Sequence, residues 1–229
     1  MHKILIGIFA HPDDEAFGPS GTLLHEVKNG AELHLITLTA GENGRNPDSL
    51  PDLAKVRLDE WRKAGQFMGA SSMHHLGFID GELDNLSMIE ASKKIEKIIK
   101  DIAATNDSSR PIEIISTDLN GITGHIDHIV ASRAAHQTFF KLKDQGYPMT
   151  KLRLACIPRS QTGDKPLTDF VFMEPGRLDS EIDEIVDNRE YFDEVKSIML
   201  AHHTQREDCQ THLNSLKERV AINHFIVVE

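Results

Sequence analysis

No residue from Ile4 to Ala10 carries a polar side chain, so neither face of a strand formed there can be left to water. Such a strand belongs in the interior of a parallel sheet that helices cover on both sides. The run stops at His11, so Ala10-His11-Pro12-Asp13-Asp14-Glu15 falls at the strand's carboxyl end. The same alternation continues along the chain. Leu23, Leu24 and Val27 recur at helical spacing between Gly18 and Asn29, Glu32 to Thr39 reads as a strand, and Leu53 to Met68 as a helix stopped by Gly69. A short strand at Met73 to Leu76, an amphipathic helix from Ser87 to Ala104, a strand at Ile112 to Thr117 and a helix from about His125 to Asp144 follow. A strand at Leu152 to Ile157, a helix around Tyr191 to Arg206 and a closing strand at Ala221 to Val228 complete the order. This pattern predicts an α/β fold: a Rossmann-like open sheet, mostly parallel, with helices on both faces. A chain of 229 residues with 39% hydrophobic content can bury one substantial core, so residues 1–229 are expected to form a single domain.

The formal charge of −11 repels polyphosphate, and general nucleic-acid binding is not expected. Between Glu174 and Glu194 nine carboxylates face only Arg177 and Arg189, as in a solvated face or loop. Cys156 and Cys209, the only cysteines, supply neither a disulfide framework nor a CxxC pair, which favours a reducing, cytoplasmic compartment. The apolar run at the amino terminus is too short for a signal peptide. Nor is there an uninterrupted apolar stretch of the ~20 residues a bilayer crossing needs, so stable membrane insertion is not expected.

Chemistry concentrates at the ends of two predicted strands. In Ala10-His11-Pro12-Asp13-Asp14-Glu15, a His and an Asp are competent ligands for a borderline divalent metal, while a neighbouring Asp can accept a proton from an activated water. An acidic loop capping a helix would have the same composition. In Gly124-His125-Ile126-Asp127-His128, the two imidazoles lie three residues apart and share a helix face, and Asp127 can orient an imidazole from behind. Among 13 histidines chance pairs are expected, and His74-His75 and His202-His203 read as ordinary strand and helix residues. What distinguishes His125 and His128 is their place at the end of a second central strand, within reach of the first loop.

Together, AHPDDE at Ala10 to Glu15 and GHxDH at Gly124 to His128 resemble the PIG-L/LmbE-like deacetylase family, which includes N-acetylglucosaminyl-phosphatidylinositol deacetylases and mycothiol- and bacillithiol-pathway sugar deacetylases. Thr39-Ala40-Gly41-Glu42, Arg57 with Glu60, Asp80-Gly81-Glu82-Leu83 and Lys196 followed by Ala201-His202-His203-Thr204-Gln205 also match, and Ile126 stands where the family often has Pro. The resemblance covers most of the chain. It implies His11, Asp14 and His128 as metal ligands, Asp13 as general base and His125 as the residue assisting at the carbonyl. Two His and one carboxylate leave coordination positions open, as a catalytic ion requires. Zn²⁺ is the first choice, and the same ligands suit Fe²⁺.

The activity implied is hydrolysis of an N-acetyl group on an N-acetylglucosamine-type sugar or glycoconjugate. Water deprotonated by Asp13 attacks the amide carbonyl, and protonated His125 stabilises the oxyanion. Asp127 is expected to hold His125 and raise its pKa, with a surface helix carboxylate as the plain alternative. Arg57, Glu42 and Asn43 are candidates for binding sugar hydroxyls, although Arg57 can equally pair with Glu60 or Asp52 on its own helix. The expected partner is a small amino-sugar or glycoconjugate, and homo-oligomerisation is left open. A non-catalytic Rossmann-like binding or regulatory protein is the alternative. It lacks support from a GxGxxG motif, and the acids after the first strand would repel a pyrophosphate.

Overall fold

The computed structural model describes residues 2–107, 109–162 and 176–229. Its strands in chain order are β1 (Ile4–Phe9), β2 (Glu32–Thr39), β3 (Ser72–Phe78), β4 (Ile112–Thr117), β5 (Met149–Cys156), β6 (Glu184–Asp187) and β7 (Ile222–Val228). They form one sheet in the order β3-β2-β1-β4-β5-β7-β6. The first five run parallel, while β7 is antiparallel to both β5 and β6. The helices are α1 (Asp14–Phe17), α2 (Ser20–Lys28), α3 (Leu53–Met68), α4 (Asn85–Ala104), α5 (Gly121–Gly124), α6 (Ile126–Asp144), α7 (Phe192–Leu200) and α8 (Arg206–Leu216).

Every residue of β1 is buried, and its period-2 alternation feeds two cores. Ile4, Ile6 and Ile8 pack with Ile95 and Ile99 of α4 and with Ala134 and Phe139 of α6. Leu5 and Phe9 point the other way, toward Leu23 of α2, Trp61 and Met68 of α3 and Ile198 of α7. Helix ends follow local chemistry: Asp52 accepts from the Lys55 N–H to start α3, Gly69 ends it in the left-handed region, and Asp84 caps α4.

The chain leaves β1 toward β2 on one side and returns through α4 to β4 on the other. The loops after β1 and β4 therefore diverge at the carboxyl edge and leave a crevice, the usual ligand position of such sheets.

The acidic stretch read as a solvated face or loop keeps most of its described carboxylates exposed, and it also contains the unanticipated edge strand β6, in which Val186 packs on the core and Glu184 meets the guanidinium of Arg153 at 2.8 Å. The four residues of β6, alternately half-buried and exposed, do not carry the apolar signature of a central strand, and Glu174 lies outside the described residues. The helix expected over Tyr191 to Arg206 ends at Leu200, turns through His203–Gln205 and restarts as α8. The segment Gly18 to Asn29 begins at Ser20, with α1 forming a separate turn before Pro19. No helix among the described residues is long and apolar enough to cross a membrane.

Candidate metal centre and active site

The loops after β1 and β4 meet in the crevice. Nδ1 of His11 lies 3.2 Å from Nε2 of His128, which in turn lies 3.1 Å from Oδ1 of Asp14. A tetrahedral ion with bonds near 2.0–2.1 Å sets neighbouring ligand atoms about 3.3 Å apart, so these spacings suit a shared divalent cation.

The opposite ring nitrogens indicate which lone pairs face that point. His11 Nε2 is 3.0 Å from Asp80 Oδ1 and 3.1 Å from Asp127 Oδ2, and His128 Nδ1 is 3.2 Å from the Gly121 carbonyl. These acceptors hold a proton on each outer nitrogen and leave Nδ1 of His11 and Nε2 of His128 to bind. Asp14 Oδ2 accepts the backbone N–H groups of Ala10 and His11, which aims Oδ1 at His128. His11, His125 and Asp127 also lie close enough to share an ion. That set is the poorer one, because Asp127 Oδ2 already accepts from the Gly81 N–H at 2.7 Å as well as facing His11.

The surroundings attract positive charge. Burial works against protonating His11, yet Asp127, Asp80 and Asp14 outweigh it and lift its pKa to about 10. His128 is likewise raised, Asp14 overcoming the effect of burial. Asp14, also buried, is held well below the usual carboxylate range by His128 and His11. The same carboxylates that draw protons onto these rings would stabilise a cation placed between them.

Asp13 stands beside this cluster with a backbone φ of 108°. Its Oδ2 accepts from Arg57 Nη2 at 2.9 Å, and the same nitrogen also donates to the Pro12 carbonyl. Burial pushes the Asp13 carboxyl up to about 6, with Arg57 opposing and Asp14 reinforcing the shift. Arg57 is 4% exposed and its Nη1 donates to the Gly41 carbonyl, so it does not pair with Glu60 or Asp52. The glycines of Gly41-Glu42-Asn43-Gly44 make this possible: a Cβ at Gly41 or Gly44 would fall within 2.5 Å of the guanidinium.

His125 caps α6, its Nδ1 accepting the Asp127 N–H at 3.2 Å. This arrangement puts the ring proton on Nε2 and favours the neutral imidazole. Burial, then His128 and His11, lowers its pKa. Asp127 acts to raise the His125 pKa, as expected, but burial, His128 and His11 outweigh it; the ring is met by the Asp127 backbone N–H, while the Asp127 carboxylate faces His11. Glu42 and Asn43 lie at the same rim. Asn43 donates through its backbone N–H and Nδ2 to Asp80, while Glu42 Oε2 is buried without a hydrogen-bond partner.

Sequence reasoning missed three contributors. Asp80 supports His11, although its motif stood out in the sequence. Glu15 and His202, both fully buried, meet at 2.9 Å directly behind Asp13. Burial disfavours a charged His202, but Glu15 and Asp13 outweigh it and raise its pKa. The adjacent pair His202-His203 offered no spacing signal in sequence. Only the fold separates the buried ring from its exposed neighbour.

A family model described as PIG-L, GlcNAc-PI de-N-acetylase, matches residues 6–139. A 1D-myo-inositol 2-acetamido-2-deoxy-alpha-D-glucopyranoside deacetylase of Thermobifida fusca (strain YX) is 27% identical, over 88% of this chain and 82% of its own length. In structure, the chain resembles N,N'-diacetylchitobiose deacetylase from Pyrococcus horikoshii, with a TM-score of 0.71, 17% identity and coverage of 99% of this chain and 84% of that one. It also resembles GalB, the 4-carboxy-2-hydroxymuconate hydratase of Pseudomonas putida KT2440, with a TM-score of 0.70, 14% identity and coverage of 100% and 97%. One fold thus serves two reactions, and the chemistry must be argued from the site.

Proposed function

The chain belongs to the PIG-L, GlcNAc-PI de-N-acetylase family, and from that premise we propose that it is a divalent-metal-dependent hydrolase that removes the N-acetyl group of an N-acetylglucosamine-type sugar or glycoconjugate. The observation that carries the reading is the convergence of His11, Asp14 and His128 at ligand spacing, with the carboxylate of Asp13 beside them. The relatives' names support the substrate class. The Thermobifida fusca enzyme and the Pyrococcus horikoshii enzyme are both named for removing acetyl groups from acetamido sugars.

The residues fit an ion: two imidazoles with fixed outer protons and one carboxylate, in the proportion expected of a catalytic zinc site. Zn²⁺ is the first assignment, with Fe²⁺ compatible with the same donors. Bound there, the ion would acidify water and polarise the acyl oxygen.

Asp13 takes the proton from the attacking water as its oxygen bonds to the amide carbon. A carboxyl lifted to about 6 is ionised at neutral pH yet basic enough for that transfer. His125, with its proton on Nε2, donates a hydrogen bond to the oxygen on which negative charge develops. The carbon–nitrogen bond then breaks, the nitrogen takes a proton from the site, and acetate and a free amine leave. Asp127 serves through His11, fixing its tautomer. Glu42, Asn43 and Arg57 form the adjoining wall where the sugar is placed, and the unpartnered Oε2 of Glu42 supplies an acceptor for a hydroxyl.

The test is acetate release from N-acetylglucosaminyl glycosides by protein loaded with Zn²⁺ or Fe²⁺ and by chelator-treated protein. Release that depends on the metal is expected. Equal rates with and without chelator, or no release from any acetamido sugar, would refute the proposal.

A further inference from the structure

We infer that Glu15 and His202 form a buried positioning pair that holds Asp13 in its left-handed backbone conformation, so that the turn between α7 and α8 completes the active site. The inference rests on the reading of Asp13 as general base. Glu15 Oε2 accepts the backbone N–H of Asp13 at 3.2 Å, and its Oε1 is 2.9 Å from Nε2 of His202. Both side chains are 0% exposed. A buried pair of this kind contributes little net stability over apolar residues of similar size, so its contact with Asp13 is the more informative property.

Asp13 adopts φ 108° and ψ −27°, a region that a residue with a Cβ occupies only when its surroundings impose it. Glu15 holds the backbone N–H and Arg57 the carboxylate, while the Asp13 carbonyl accepts the N–H groups of Ala16 and Phe17. Released from Glu15, the peptide would relax toward ordinary φ and swing the carboxylate away from the ligand cluster.

His202 is itself located by a second carboxylate contact. Thr204, two residues on, donates through its N–H and its hydroxyl to Glu60, at 2.9 and 2.6 Å. Glu60 lies on α3, the helix that also carries Arg57. The turn is thus pinned both to α3 and to the loop after β1. It lies beyond residues 6–139, the portion that the family model matches.

The test compares Glu15→Leu, Glu15→Gln and His202→Phe in the full chain. Glu15→Leu removes the acceptor, His202→Phe removes the donor while keeping ring volume, and Glu15→Gln keeps one acceptor oxygen for the Asp13 N–H while its amide NH2 meets His202 only with that ring's proton on Nδ1. Glu15→Leu and His202→Phe should lower kcat roughly 10- to 100-fold with KM and metal content unchanged, and Glu15→Gln should recover most of that loss. In an Asp13→Asn background the same substitutions should cost nothing further, because they act through Asp13. Amide hydrogen exchange at Asp13 should quicken in Glu15→Leu whether or not the substrate assignment is right. An unchanged exchange rate, or an equal fold-loss in the Asp13→Asn background, overturns the inference. Wild-type protein that releases no acetate while its Asp13 exchange responds as expected would instead overturn the proposed function. Should Glu15→Leu not fold, exchange and kcat in His202→Phe decide the matter in the same way.

Discussion

Replacing Asp13 by Asn separates its role from that of its neighbour Asp14. The amide oxygen can still accept from Arg57, and the backbone N–H still donates to Glu15, so the loop keeps its shape. What disappears is the ability to take a proton. General-base removal of this kind costs about 10²–10⁴ in kcat, or roughly 3–5 kcal/mol of transition-state stabilisation. Metal content should persist, since Asp13 is not among the grouped ligands.

Stability supplies an independent check on the same variant. Burial raises the Asp13 carboxyl from its ordinary 3.8 to about 6, so its ionised form is disfavoured on folding. Stability attributable to this group is greatest at low pH and declines as pH rises from the unfolded value through about 6. At pH 7.5 the metal-free Asn variant, a mimic of the neutral acid, should melt no lower than wild type. Asp14→Asn should instead bind metal weakly, because the carboxylate facing His128 loses its charge. The assays are acetate release, elemental analysis and thermal melting. If Asp13→Asn lost metal yet turned over normally after reloading, while Asp14→Asn stayed metallated and inert, the two roles would be exchanged. Wild-type rates in both variants would refute the mechanism built on this loop.

Asp127→Asn weakens the support behind His11, and the apparent metal Kd should rise about 10- to 100-fold, as measured by chelator competition. An unchanged Kd with lost turnover would place Asp127 at the reaction instead. Metal binding should also tighten with pH. His11, lifted to about 10, must give up a proton to bind an ion, so about one proton leaves for each ion bound. Each unit fall in pH between 8 and 6 should therefore weaken binding about 10-fold, and pH-independent affinity would contradict these ligands.

Much of this protein was already determined by local pattern. A strand apolar on both faces can be satisfied only by helices on either side, and so Ile4 to Phe9 dictated the sheet architecture before any contact was known. The two motifs were legible for a related reason: the carboxyl ends of central strands converge in such a sheet, so residues at 11–15 and 125–128 had to approach one another. Element ends marked by Asp84, Asp52 and Gly69 were similarly local.

Tertiary structure alone decided which partner each charged group takes. Asp127 is two residues from His125 in sequence, yet the turn into α6 gives its backbone N–H to His125 and its carboxylate to His11. Arg57 and Glu60 share a helix but part company, one to Asp13 and the other to Thr204. His202 and His203 are adjacent, and only the break after Leu200 buries one against Glu15, 187 positions away, while leaving the other in solvent. Hydrophobic periodicity reports which face of an element is inside, because burial acts on every residue of that face alike. The pairing of polar groups depends on distances of about 3 Å between distant segments, and no local pattern encodes those.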